Sequence, residues 1–219
     1  MGEITSSEEN YLKSLYHLQL REEEVGIKSL SLSLDVKMPT ANSMIKKLAD
    51  KGLVLYQSYK PIRLTKKGIK AASLIIRKHR LTEMYLVEKM GFSWDEVHEV
   101  AEQIEHVKSP KFFDKMDELL NFPSFDPHGS PIPKKDGTIA SLEGFILSMG
   151  KKGKMYKIIS LLQSDKAFLN YLDSKGIKLY SKIEVLEVIS YEELIKVKVN
   201  DFELTISDKV SSKLFVQEI

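Results

Sequence analysis

Cysteine is absent from the 219-residue sequence. This absence excludes disulfides, thiolate zinc sites and cysteine catalysis, so any metal ion must be held by nitrogen and oxygen ligands. Long apolar runs are also absent, because the apolar stretches fall far short of the ~20 residues that a membrane helix needs. No basic and apolar signal peptide opens the sequence. We therefore expect a cytoplasmic protein that makes no contact with a membrane.

The net charge is only +2, but the charges are unevenly distributed along the chain. Residues 1–80 carry 15 basic and 8 acidic side chains, whereas residues 81–150 carry 6 basic and 13 acidic ones. Residues 151–219 are nearly balanced, with 12 basic and 10 acidic side chains. This distribution predicts a polyanion-binding module followed by a cation-binding one. Chance segregation of surface charge is the alternative explanation.

The first third has the pattern of three helices. Thr5 and the acidic residues after it are typical of a helix start, a short helix is predicted at 29–34, and Pro39 suits the first turn of a helix that reaches Lys51. Small polar side chains at the start of such a helix can approach base edges, and lysines further along can contact phosphates. The candidate DNA-binding residues on its exposed face are Pro39, Thr40, Asn42, Ser43, Lys46 and Lys47.

A β-hairpin is predicted after the glycine at position 52, with strands at 53–56 and 62–65 and a turn at 57–61. The segment "LADKGLVLYQSYKPIRLTKKG" resembles a winged helix-turn-helix. Lys60 and Arg63 of the wing are then expected to contact the DNA backbone or the minor groove. A winged helix used only for protein contacts is the alternative, and the basic charge favours double-stranded DNA.

The middle of the chain concentrates histidine and glutamate at helical spacing. A long helix is predicted over 65–91, and it carries His79 and Glu83 one turn apart. Ser93–Glu96 has the pattern of a capping box that starts another helix. On that helix His98, Glu102, Glu105 and His106 are predicted to form one stripe. Like charges at this spacing repel unless a divalent cation binds between them, although a solvated helix with incidental histidines is the alternative.

The segment "RKHRLTEMYLVEKMGFSWDEVHEVAEQIEHVKSP" resembles the helical core of the diphtheria-toxin-repressor and manganese-transport-regulator family. The following "FDPHGSPIP" is similar to the loop after that core. The resemblance extends over nearly the whole chain. It implies a homodimeric transcriptional repressor that binds double-stranded operator DNA, is activated by Mn²⁺ or Fe²⁺, and controls metal uptake genes.

The resemblance also implies ligand sets. The primary metal site would consist of Glu102, Glu105 and His106, with a further ligand from the first helix at Asn10. The ancillary site would consist of His79, Glu83 and His98. Asp126 and His128 align with loop residues that complete a second site in some manganese-sensing members. Asp165 aligns near a ligand donated by the C-terminal domain, and a helix N-cap is an equal alternative for it.

Three positions depart from the family pattern. Asn10 stands where relatives have methionine or aspartate, and Lys13 stands where one branch has a ligating carboxylate, which argues against the closely bridged two-metal site of that branch. Glu102 stands where iron-sensing members often have cysteine. An all-nitrogen and oxygen site favours manganese, whereas the weaker amide ligand leaves iron(II) open.

The resulting fold class is mainly α with β. We predict a winged helix-turn-helix at 1–74, a helical metal-binding and dimerisation domain at 75–141, a linker at 142–154 and an SH3-like β-barrel at 155–219. The barrel is predicted from strands at 156–159, 183–189, 194–199 and 202–206 and a helix at 165–174. Two alternatives remain: a DNA-binding regulator with a structural metal or none, and a metal-dependent hydrolase. The sequence lacks the H-E-x-x-H signature and a glycine-rich phosphate loop, which argues against an enzyme.

Overall fold

The computed structural model describes residues 4–58, 60–200 and 202–219. Its helices are α1 Ser6–Gln19, α2 Ile27–Ser33, α3 Met38–Asp50, α4 Lys66–Met90, α5 Val97–Ile104, α6 Pro110–Leu119, α7 Lys166–Ser174 and α8 Asp208–Ser211. Its strands are β1 Val54–Leu55, β2 Arg63–Leu64, β3 Phe145–Ile146, β4 Met155–Leu161, β5 Lys182–Ile189, β6 Leu194–Val199, β7 Phe202–Ser207 and β8 Leu214–Glu218. None of the described helices combines the length and the apolar composition needed to span a membrane.

Contacts between residues divide the chain into two compact units. The first unit contains residues 4–79, 103–113 and 133–139. The second unit contains residues 80–102, 114–132 and 140–219. Each unit has its own hydrophobic core.

The first unit contains three helices followed by a two-stranded antiparallel hairpin, as the sequence predicts. Thr5 caps α1 through a complete capping box: its hydroxyl accepts from Glu8 N at 3.3 Å, and the Glu8 carboxylate accepts from Thr5 N at 2.8 Å. Pro39 lies in the first turn of α3, and Gly52 ends this helix with a φ of 68°. The predicted wing turn at 57–61 contains Tyr59, which lies outside the described residues.

The core of the first unit is formed by apolar side chains that repeat at helical spacing on α1 and α3 and alternate on the hairpin. Burying them on one side leaves the opposite face of α3 available to solvent. The buried residues are Tyr11, Leu12, Leu15, Val25, Leu30, Ala41, Ile45, Leu48, Leu53, Val54, Ile62, Leu64, Ala72 and Ile75.

The second unit contains a six-stranded antiparallel sheet with the strand order β3-β8-β4-β5-β6-β7. Strand β6 matches its predicted bounds, and α7 begins one residue after the predicted start because Asp165 is its N-cap. Within the part of the chain that the structure describes, no pairing joins the edge strands β3 and β7. The predicted barrel is therefore an open sheet, in which the core residues alternate along β4, β5 and β6.

The prediction that four ligand candidates share one helical stripe is wrong for two of them. Helix α5 begins only at Val97 and ends at Ile104, so Glu105 and His106 lie in the turn after it. The two residues are instead drawn toward α1, where Glu105 pairs with Lys13 at 2.7 Å and His106 Nδ1 lies 2.6 Å from Glu9 Oε2. The chain therefore leaves the helix early, and Val107 N donates to Ile104 O at 3.0 Å in a tight turn.

Candidate metal centres and DNA-binding face

The exposed face of α3 carries the predicted DNA-binding residues. Side chains of Pro39, Thr40, Ser43, Lys46 and Lys47 are exposed. Only Pro39 and Asn42 of the predicted set on α3 line an open cavity of about 740 Å³, together with the start of α2 and with hairpin residues that include Lys60. The exposed Lys46 and Lys47 make this face of α3 basic, which suits a polyanion.

Two of the predicted DNA contacts are already engaged in the protein. Asn42 is half-buried, and its Oδ1 accepts a hydrogen bond from the Tyr56 hydroxyl at 2.6 Å, which ties α3 to the hairpin. Lys47 Nζ lies 3.2 Å from Glu8 Oε1, so part of its charge is directed toward α1. Lys60 and Arg63 on the hairpin are exposed, as predicted.

Glu8 connects α1 to α3. Its carboxylate is fully buried and lies 2.8 Å from Lys51 Nζ. Burial opposes its ionisation, but hydrogen bonds from Lys51 and from the Thr5 backbone outweigh this effect and lower the pKa of Glu8 from 4.5 to about 2. The buried pair fixes α1 against the end of α3.

Glu105 is the centre of an ionic cluster in the first unit. Its carboxylate is fully buried. Lys13 Nζ lies 2.7 and 2.9 Å from its two oxygens, and His79 Nδ1 donates to Oε2 at 2.6 Å. Two predicted ligands from different predicted sites, His79 and Glu105, are therefore in direct contact.

His106 takes part in a second ionic cluster with α1. His106 Nδ1 lies 2.6 Å from Glu9 Oε2, and Lys108 Nζ lies 2.6 Å from Glu9 Oε1. Asn10 follows Glu9 directly, and its buried Oδ1 has no hydrogen-bond partner among the described residues. A buried carbonyl oxygen without a partner is costly unless a donor or a cation satisfies it. Carboxylate, imidazole and amide oxygen fit a hard divalent cation.

The surroundings of these clusters are desolvated. Burial lowers the pKa of Lys78, and the charges of Glu9 and Glu105 partly offset this effect. Lys78 Nζ also donates to Val107 O at 3.2 Å, which holds the turn after α5. Low local polarity strengthens the ionic contact between Glu105 and Lys13, whose side chains are largely shielded from water.

The second unit contains a separate buried group of candidate ligands. Oxygen and nitrogen atoms of Glu83, Asp126 and His128 lie within 4.8 Å of one another. His128 Nε2 donates to Trp94 O at 2.9 Å. In neutral His128 this bond leaves the Nδ1 lone pair available, at 3.8 Å from Glu83 Oε2.

Two neighbouring buried carboxyl groups are electrostatically unfavourable in this second group. Burial raises the pKa of Asp126, and the charge of Glu83 raises it further, whereas Arg80 and His128 lower it. Asp126 Oδ1 accepts from the backbone N–H groups of His128 and Ser130 at 2.8 and 2.9 Å, which orients the side chain. A cation at this place would favour both ionised carboxylates.

The remaining predicted ligands are distributed as follows. His98 Nδ1 lies 3.3 Å from Glu83 Oε1, and its Nε2 lies 3.8 Å from Glu102 Oε1, all within the second unit. Asp165 caps α7 by accepting from Phe168 N at 3.1 Å, and its other carboxylate oxygen contacts Gln163. The predicted primary and ancillary sets each draw residues from both units, and they stay predictions.

Glu9 is a functional candidate that the sequence alone did not reveal. As an acidic residue in the first turn of α1, it has the ordinary explanation of a favourable interaction with the helix dipole. In the sequence Lys13 stands out only as a departure from the family pattern, because its contact with Glu105 spans 92 residues. The one signal available from the sequence is the spacing of four residues, which places Lys13 and Glu9 on the same face of α1.

Three family models match successive parts of the chain. The N-terminal DNA-binding domain of iron-dependent repressors matches residues 3–62. Their metal-binding and dimerisation domain matches residues 65–134, and the FeoA domain matches residues 146–218.

Individual relatives agree with these matches. The iron-dependent repressor IdeR of Mycobacterium bovis is 35% identical over 137 residues, which cover 61% of this chain and 58% of the relative. The diphtheria toxin repressor of Corynebacterium diphtheriae is 26% identical over 201 residues, covering 85% of this chain and 87% of the relative. A manganese-dependent transcriptional repressor solved in complex with manganese is 31% identical with a TM-score of 0.91, covering 97% of this chain and all of that one. The chain therefore belongs to the family of iron- and manganese-dependent transcriptional repressors that includes the diphtheria toxin repressor.

Proposed function

We propose that this protein is a homodimeric transcriptional repressor that senses Mn²⁺ or Fe²⁺. Binding of the metal ion activates the protein to bind operator DNA and so to control metal uptake genes. The observation that carries this proposal is the double engagement of α1. Through Glu8 this helix is fixed to Lys51 at the end of α3, and through Glu9 and Lys13 it contacts His106 and Glu105. A change in the ionic cluster is therefore transmitted to the DNA-reading helix by a single rigid element.

The proposed ligands follow from the donors at these places. Asn10, Glu105 and His106, with Glu102, form the proposed primary site. His79, Glu83 and His98 form the proposed ancillary site, with Asp126, His128 and Asp165 as further candidates. The partnerless Asn10 oxygen supports the first assignment. A bound divalent ion would supply the positive charge that holds these carboxylates together.

Either Mn²⁺ or Fe²⁺ is the activating ion in this proposal. The relatives include an iron-dependent repressor and a manganese-dependent one. The chain contains no cysteine, so the donors are hard oxygens and imidazole nitrogens, which suit both ions better than softer metals.

We further propose the domain limits 1–74, 75–141, 142–154 and 155–219, with an SH3-like C-terminal domain. The three family matches fall within these limits apart from the first residues of the second and third matches. A DNA-binding repressor acts in the cytoplasm and needs no catalytic residues. The matched dimerisation domain supports a homodimer, in which two α3 helices would read half-sites one DNA turn apart.

The test is a DNA-binding titration across a series of divalent metals. Operator sequences are first selected from random duplexes in the presence of Mn²⁺, and fluorescence anisotropy then measures affinity with Mn²⁺, Fe²⁺, Zn²⁺ or a chelator. Tighter binding with Mn²⁺ or Fe²⁺ than with chelator is expected. Equal affinity in all conditions would contradict the proposal.

A second candidate is a DNA-binding regulator whose activity does not depend on metal. One observation favours it: the ammonium groups of Lys13 and Lys108 already neutralise Glu105 and Glu9. The same titration separates the two candidates, because this regulator would bind DNA equally well in chelator.

A further inference from the structure

The ammonium group of Lys13 occupies the position from which a cation would bind Glu105. It lies 2.7 Å from Oε1 and 2.9 Å from Oε2, so it bridges both oxygens of the carboxylate. The Glu105 side chain is fully buried, and the Lys13 side chain is 14% exposed. A buried carboxylate requires a partner of opposite charge, and in this arrangement Lys13 provides it.

A divalent ion and this ammonium group exclude each other. A metal ion bound to a carboxylate lies about 2.0–2.6 Å from its oxygen. Such an ion would enter the space now filled by the Lys13 ammonium group, and two cations at that separation repel strongly where little water screens them. The salt bridge therefore has to open before Glu105 becomes a metal ligand.

We propose that Lys13 is a built-in competitor of the metal, which sets the concentration of divalent ion needed to occupy Glu105. The inference rests on the proposed metal site but adds a residue that does not bind the metal. When the ion is absent, Lys13 stabilises the buried carboxylate. When the ion binds, the flexible Lys13 side chain turns toward solvent. The salt bridge with Glu105 is then lost, and this loss lowers the apparent affinity for the metal.

The first experiment measures the affinity of the full-length protein for Mn²⁺ by competition with a fluorescent chelator. Lys13→Met removes the charge and keeps a side chain of similar length. The variant should bind Mn²⁺ about tenfold more tightly or better, because loss of one hydrogen bond to a charged group changes an affinity by at least about that factor. Lys154→Met is the matched control, since it breaks a salt bridge of the same 2.7 Å length to the exposed Glu218 and should leave the affinity unchanged.

Failure of the competition by Lys13 and failure of the metal site give different results. Unchanged or weaker affinity in a folded Lys13→Met variant, with Mn²⁺ bound normally by the wild type, would overturn the competition but not the metal site. Absence of Mn²⁺ binding in both proteins would overturn both. If Lys13→Met does not fold, Lys13→Gln keeps a hydrogen-bond donor without the charge, and the same increase in affinity is expected.

A second measurement needs no variant. Brief acetylation of the wild-type protein, mapped by mass spectrometry, reports how accessible each lysine is. Mn²⁺ should increase the modification of Lys13 several-fold and leave the exposed Lys46 unchanged. Equal modification of Lys13 with and without Mn²⁺, at concentrations where Mn²⁺ binds, would contradict the displacement.

Discussion

At the residue scale, buried charges define the ionic contacts of this protein. Glu8, Glu9 and Glu105 are all buried, and each is paired with a lysine. Removing one partner of a buried pair leaves an uncompensated charge, which costs far more than losing a surface pair. These three carboxylates should therefore be sensitive to substitution.

Glu8→Gln should lower the free energy of unfolding at pH 7 by about 3 kcal/mol, because the pKa of Glu8 is lowered from 4.5 to about 2 in the folded protein. The folded-state pKa is about 2 and the ordinary value is 4.5. The stabilisation is thus fully present above pH 4.5 and is lost as the pH falls toward 2. Urea unfolding at pH 7 and pH 3 measures this, and the difference between wild type and variant should shrink at pH 3.

Glu118→Gln is the control for this prediction, because its pair with Lys115 is exposed. It should change stability by less than about 0.5 kcal/mol at both pH values. A Glu8→Gln variant as stable as the wild type at pH 7 would show that the buried pair contributes nothing.

At the element scale, α3 has two lysines with different environments. Lys46→Ala should weaken binding to all DNA sequences about equally and reduce the salt slope by about one, as expected for one lost phosphate contact. Lys47→Ala should have the same effect on DNA binding. It should in addition lower the free energy of unfolding, since Lys47 Nζ contacts Glu8 Oε1. Anisotropy titrations at several salt concentrations measure the slope. An unchanged slope for Lys46→Ala would remove it from the DNA contact surface.

A second element-scale prediction concerns the start of α4. A Cβ atom at Gly68 would collide with the carbonyl oxygen of Leu53, which is backbone and cannot move aside cheaply. Gly68→Ala should therefore destabilise the first unit by about 2 kcal/mol or more. Thermal unfolding measures it. Gly26→Ala is the control, because its Cβ would meet open space, and only the loss of a favourable N-cap glycine on α2 is expected, about 0.5–1 kcal/mol. Equal melting temperatures for both variants would contradict the prediction.

Some elements of this fold are predictable from the sequence, whereas others are not. Helix α4 was predicted within one residue at each end, because Thr65 and Gly91 flank 25 uninterrupted helical residues. Strands β3 and β8 were not predicted, since they are short and pair with each other across about 70 residues of sequence. Lys13 and Glu105 are likewise partners across 92 residues, and periodicity along one element contains no information on such contacts.

At the scale of the whole molecule, the proposed activity requires that two distant functions share one element. Helix α1 packs into the core beside α3 and also faces the turn that carries Glu105 and His106. Metal binding can change DNA affinity only if the ion has different affinities for two arrangements of these parts. The ligands that contact α1 are therefore the ones whose loss should uncouple metal from DNA.

Glu105→Gln and His106→Ala should each abolish the increase in DNA affinity that Mn²⁺ produces. Both residues lie outside the two hydrophobic cores, so the cores should persist. Glu105→Gln should still lower the melting temperature, because it breaks the buried pair with Lys13, and circular dichroism with thermal unfolding measures both effects. His17→Ala is the control, because this side chain belongs to neither ligand set and should leave the Mn²⁺ response unchanged. If a folded Glu105→Gln or His106→Ala protein responded to Mn²⁺ like the wild type, the cluster at α1 would not be the switch. The response would then have to originate in the second unit, where Glu83, Asp126 and His128 form the other buried ligand group.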